Sequence, residues 1–128
     1  MYEKKIITSD KIPQPIGPYS VGVAAGNFLF ISGQLGVRAD TGEPATDEIR
    51  GQTRQAILNL QAVLEAAGCD LRHVVKTTVF LRDMNDFPAM NEIYAEFFGE
   101  NSPARSAVQV AKLPKGLAVE IEAIAVIP

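Results

Sequence analysis

The sequence predicts an α+β domain in the order β-β-β-α-β-α-β-β, and three features of its 128 residues carry that prediction. Short apolar stretches bounded by Gly and Pro come first, as strands and tight turns require. The apolar period then changes to that of a helix twice, from about Asp47 and from about Asp86. The closing stretch, Leu117 to Ile127, alternates at every second position as a strand does.

"KKIIT" at 4–8 reads as a first strand, and "IPQPIGP" as a loop stiffened by its prolines. "YSVGVAAGNFLFISG" reads as a hairpin, with Ser20–Ala25 and Phe28–Ser32 joined by Gly26-Asn27. Gly in the first turn position suits the type II′ geometry. From about Asp47, the residues Ile49, Thr53, Ala56, Ile57, Leu60, Val63, Leu64 and Ala67 fall on one helical face. Thr46 or Asp47 is expected to cap the start and Gly68 to end the helix. Val74 to Leu81 is a β-branched strand. A second helix is expected from Asp86 to Phe98, capped by Asn85 or Asp86, with Pro88 in its first turn and Gly99 as its stop. Its apolar face is Met90, Ile93, Tyr94 and Phe97. "ARSAVQV" and "LAVEIEAIAVI" complete the set as strands.

In the last strand, one face is Leu117, Val119, Ile121, Ala123, Ala125 and Ile127, wholly apolar. The other is Ala118, Glu120, Glu122, Ile124 and Val126, acidic and then apolar. Two helices are expected to cover one face of a mixed sheet and are too few for both. An apolar face left over on this scale calls for another chain, so a homo-oligomer is expected.

The composition is that of a globular protein, 47% hydrophobic and 21% charged. A net charge of −3 without a concentrated basic stripe argues against nucleic acid as a partner. No stretch is long and apolar enough to span a bilayer, and the start lacks the apolar run of a secretory signal. With one cysteine, Cys69, no internal disulfide can form, and a cytoplasmic location is expected. One cysteine and one histidine make poor metal ligands between them, so no metal is expected. The phosphate-binding motifs G-x-x-x-x-G-K and G-x-G-x-x-G are missing. His73, the sole histidine, starts a strand with no nucleophile-elbow sequence nearby and reads as a surface or strand-cap residue.

Four residues stand out chemically. Arg105 lies just inside a strand, on the face of Ala107 and Gln109, where its fork can grip a carboxylate through two bonds. It can equally be a surface arginine whose stem lies on apolar neighbours. Glu120 and Glu122 enter an apolar strand, where a carboxylate must pair, face a wet pocket or sit at an edge. The pattern does not separate the two. Tyr19 follows a proline-stiffened segment, so its hydroxyl can aim at a site or simply pack.

Taken together, "IGPYS", "ISGQLG", "GCDLRHVVKTTVFLRDMNDFPAMNEIY", "PARSAVQVAKLPKG" and "VEIEAIAV" resemble the RidA/YjgF reactive-intermediate deaminases. The resemblance runs from about Ile6 to Val126. It implies a chorismate-mutase-like fold assembled as a homotrimer, with sites in the clefts between subunits. It also implies cofactor-independent hydrolysis of 2-imino acids, such as 2-iminobutyrate and 2-iminopropanoate, to 2-keto acids and ammonia. By matching motif, Arg105 would clamp the substrate carboxylate and Glu120 would hold the attacking water. Tyr19, the backbone of Gly33, and Asn91 would shape the pocket, with Phe87 as a wall. Many relatives carry cysteine where this chain has Ala107, so a thiol there is not required, while the N–H of residue 107 is kept for a substrate oxygen. Burial would raise the pKa of Glu120 and a nearby Arg105 would lower it. Two other readings are a non-catalytic trimer that senses keto or amino acids, and a ribonuclease or translation inhibitor.

Overall fold

The computed structural model describes residues 3–128. Six strands, β1 (Lys4–Ile7), β2 (Gly22–Ala25), β3 (Phe28–Leu35), β4 (Val74–Leu81), β5 (Ala104–Gln109) and β6 (Val119–Val126), accompany two helices. The helices are α1 (Ile49–Ala66), between β3 and β4, and α2 (Phe87–Phe98), between β4 and β5. The element order is the expected one. All six strands form one sheet in the order β1-β2-β3-β6-β4-β5. Only β4 and β5 run parallel, and α2 supplies the crossover that a parallel pair needs.

Local chemistry accounts for most boundaries. At the β2–β3 turn, Gly26 has φ +60° while Asn27 stays out of the left-handed region, as a type II′ turn requires. Several boundaries differ from expectation. β2 begins at Gly22 rather than Ser20, although β3 still reaches the residues before it: Ser20 accepts from Ser32 Oγ at 2.7 Å and Val21 from Ser32 N–H at 2.9 Å. β3 runs past Ser32 to Leu35 through an irregularity between Ile31 and Gln34. α1 begins at Ile49, after an N-cap Glu48 that offers no side-chain bond. Thr46 serves a turn instead, its Oγ1 accepting the N–H of Glu48 at 3.1 Å. For α2 the cap is Asp86, also without a side-chain bond.

Both helices pack on the same face of the sheet. Along β6, Val119, Ile121, Ala123 and Ala125 are buried beneath them, joined by Leu60, Val63 and Leu64 of α1 and Met90 of α2. The alternate residues Glu120, Glu122, Ile124 and Val126 face the other way and keep part of their surface in water. Phe28, Phe30 and Val108 share that open face, with 48%, 45% and 44% of their surface exposed. The side-by-side helices are laced by Arg50–Glu92 and Arg54–Glu96 pairs at 3.0 and 3.1 Å. Such exposed pairs are worth about 0–1 kcal/mol each, so burial carries the packing.

Two buried amides on α1 were not foreseen from its apolar pattern. Asn59 donates through Nδ2 to the carbonyls of Leu35 and Val37 at 3.0 and 2.9 Å, fixing the end of β3. Gln52 accepts the N–H of Ala118 through Oε1 at 2.7 Å and donates through Nε2 to the Thr46 carbonyl at 3.1 Å. These bonds replace strand pairing where the chain enters β6. Replacing Gln52 by Leu leaves the buried Ala118 N–H without a partner, at a cost of about 1–3 kcal/mol. Chemical denaturation should show a lower midpoint for that variant at an unchanged slope.

Candidate active site

β6 aims Glu120 at the open face, opposite Leu35 of β3 and Phe80 of β4. Its carboxylate lies on Gly33: a Cβ there would stand 2.7 Å from Glu120 Cδ and 3.0 Å from Oε2. A methyl group at residue 33 would displace the Glu120 carboxylate from this position. Tyr19 joins them in one cavity of about 450 Å³. Its hydroxyl accepts the N–H of Ile16 at 3.4 Å, and its own N–H donates to the Gly17 carbonyl at 2.9 Å. Tyr19, Gly33 and Glu120, distant in sequence, therefore form one cluster. Burial holds the Glu120 carboxyl above its ordinary value of 4.5, and the negative charge of Glu122 adds to the effect. Within the chain, burial prevails over any help from arginine.

Arg105 lies elsewhere. In β5 it is paired with Thr77, which in β4 is also opposite Ala123, so all three point to the helix-covered face. Its Nη1 donates to Asn91 Oδ1 at 2.7 Å. The guanidinium stacks over Tyr94 at 4.7 Å and Phe87 at 5.3 Å from the ring centres. Among the described residues no carboxylate lies within 4.0 Å of it. Tyr94 was expected only as part of an apolar helix face. Its hydroxyl shares a 2.7 Å hydrogen bond with the fully buried Thr77, which fixes the ring beneath the cation.

Ala107 shares the face of Arg105, two positions along a strand at the sheet's edge. Val110 N–H turns inward to the Leu81 carbonyl at 3.0 Å. By the alternation of a strand, the N–H groups of Arg105 and Ala107 turn outward, free to meet a ligand or another chain.

The seven expected residues thus form two groups on opposite faces of one sheet. Glu120, Tyr19 and Gly33 make the first; Arg105, Asn91, Phe87 and Ala107 make the second. Glu122 belongs with neither. It is opposite Thr78 and lines a separate cavity of about 320 Å³ with Phe30, Lys76 and Ile124. His73 has a structural task, accepting the Asp70 N–H through Nδ1 at 3.0 Å in a reciprocal cap with Asp70. Cys69 is buried, and burial pushes its thiol up, away from the reactive form. No helix is long and apolar enough to cross a membrane among the described residues.

Comparison with known proteins extends over almost the whole chain. The family model described as Endoribonuclease L-PSP matches residues 9–127. A RutC family protein of Pyrococcus horikoshii is 56% identical over 122 residues, covering 95% of this chain and 97% of its own. The 2-iminobutanoate/2-iminopropanoate deaminase of Homo sapiens is 46% identical over 123 residues, covering 96% and 90%. Among solved structures, E. coli TdcF with bound serine superposes with a TM-score of 0.91 at 45% identity, covering 97% and 99%. The YjgF gene product from E. coli gives 0.90 at 48% identity, covering 95% and 98%. At these identities and coverages, the chain belongs to the RidA/YjgF family.

Proposed function

We propose that the protein hydrolyses 2-imino acids to 2-keto acids and ammonia, at sites built between subunits of a homotrimer. One observation carries this reading. Arg105 and Glu120 are opposite charges, neither with an ion-pair partner among the described residues, and they lie on opposite faces of the sheet. A 2-iminium acid bears the complementary pair, a carboxylate beside a cationic C=N carbon. The two halves of the site can then meet only when the open face of one subunit lies against the β5 edge of the next. The apolar residues of the open face favour that association. The deaminase names of relatives near 50% identity support the same chemistry.

In this reading, Arg105 of one subunit grips the substrate carboxylate, held to its task by Asn91 and by the Tyr94 and Phe87 rings. Glu120 of the next subunit binds water and takes its proton as the oxygen attacks the imine carbon. The tetrahedral adduct is protonated on nitrogen and expels ammonia, leaving the 2-keto acid. Such positioning can supply about 7–11 kcal/mol and acid–base help about 10²–10⁴-fold. The outward N–H of Ala107 serves a substrate oxygen, and Tyr19 and Gly33 shape the pocket around Glu120. The net charge of −3, with acids and bases mixed along the chain, weighs against a ribonuclease despite the family model's description. Ligand binding without imine loss would favour the sensor reading instead.

Three measurements test this. Light scattering should give three times the 13.8 kDa chain mass. Arg105→Ala and Glu120→Gln should each be inactive alone, yet recover part of the activity when unfolded and refolded together, because mixed trimers regain sites with both groups intact. No recovery in mixed trimers would place both groups in one subunit. Arg105→Lys keeps the charge but loses the planar fork, and kcat/KM should fall by about tenfold or more.

Glu120 must be ionised to accept a proton. Within the single chain its pKa is raised, and Arg105 of the neighbouring subunit would oppose that shift in the assembled site. The acid limb of kcat/KM set by this carboxylate should vanish in Glu120→Gln, whose turnover falls by about 10²–10⁴-fold. Glu122→Gln should change stability or trimer assembly, since a two-residue step moves its carboxylate about 6.5–7 Å along the strand.

A further inference from the structure

Four arginines of the chain answer to a carboxylate: Arg38 to Asp40, Arg50 to Glu92, Arg54 to Glu96 and Arg72 to Asp70. Arg105 is seated by other means. Phe87, Asn91, Tyr94 and Phe98 recur along one stripe of α2, and the first three reach the guanidinium directly. An amide oxygen and aromatic faces attract the cation without cancelling its charge, as a paired carboxylate would. Burial holds the Tyr94 phenol above its ordinary value of 10.0, so the ring meets the cation in its neutral form.

The Tyr94 ring is itself anchored from behind. The Phe98 ring lies 4.7 Å away, centre to centre. At the far end of the ring, the hydroxyl and Thr77 Oγ1 share their 2.7 Å bond where both residues are almost wholly shut off from water. Thr77 is the β4 residue paired with Arg105 on β5. The strand that carries the cation and the ring beneath it are thus fixed to the same point. A ring tied in this way cannot tilt without leaving a buried hydroxyl unpaired.

We propose, resting on the imine-hydrolase reading above, that the Thr77–Tyr94 hydroxyl pair is a positioning device for the carboxylate grip. It acts through Arg105, setting the angle at which the guanidinium fork meets the substrate. The substrate carboxylate is gripped before and during reaction alike, so loss of the tie raises KM and leaves kcat little changed.

The test compares Tyr94→Phe, Thr77→Val and the two combined with wild type, each as the assembled protein. Melting temperature is measured, and kcat and KM are determined on the imine that an amino-acid oxidase generates from 2-aminobutyrate. Each single variant leaves one buried hydroxyl without its partner and should melt lower. The double variant removes both hydroxyls and should regain much of that stability. Its KM should nevertheless stay about threefold to tenfold above wild type. Thr77→Ser, which keeps the hydroxyl, should recover most of the KM lost in Thr77→Val. A double variant with the wild-type KM overturns the proposal, since the pair is then structural alone. A fall in kcat at unchanged KM overturns it too, and in both cases imine hydrolysis still stands. If the wild type clears no imine, the imine-hydrolase reading falls and takes this inference with it.

Discussion

Packing of both helices on one face of the sheet is the constraint from which the rest follows. Two helices of 18 and 12 residues cover β3, β6 and β4 from one side, and the other side is left bare. Strand geometry then divides the side chains of the candidate site by parity. In β6 the odd positions fill the core, so Glu120 is delivered to the bare face. In β5 the same rule turns Arg105 toward α2, where an amide and two aromatic rings hold it. A one-residue slip in either strand would exchange these destinations, so register matters as much as residue identity.

Rigidity at the acidic cluster comes from outside it. Glu120 has β3 on one side and β4 on the other, and α1 secures the approaches. Asn59 pins the end of β3, and Gln52 pins the residue that leads into β6. Both amides are almost wholly buried, so their bonds are made where water does not compete. Gly33 completes the arrangement by withholding a side chain. The acid therefore rests against backbone, in a place where a larger residue would claim the same volume.

Much of this was legible in the sequence, for identifiable reasons. Element order followed from changes of hydrophobic period, and the bare face from the mixed character of Glu120, Glu122, Ile124 and Val126. The division of the site was not legible. A strand's alternation tells which residues share a face, but not which face a neighbouring strand aligns with it. That depends on pairings such as Thr77 with both Arg105 and Ala123, made between segments far apart in the chain. Gln52 and Asn59 escaped notice because a polar residue beside an apolar stripe looks solvent-facing until its backbone partners are known. The start of α1 was misplaced because Thr46 had two backbone groups within reach and served the turn.

The place of β6 bears on how the chain reaches this state. It is the last strand of the fold to be made, yet it lies in the interior of the sheet, between β3 and β4. Without it, β1, β2 and β3 would share no pairing with β4 and β5, and the sheet would fall into two parts. The contacts that join them are the most distant along the chain, with Phe28 meeting Val126. Such closure is slow, because the entropy of a long loop must be lost before any pairing is gained. A strand that joins two parts of a sheet and comes last in chain order is of the kind that could be exchanged between identical copies. The residues that carry the acid are thus also the keystone whose late arrival decides between a closed sheet and an exchanged one.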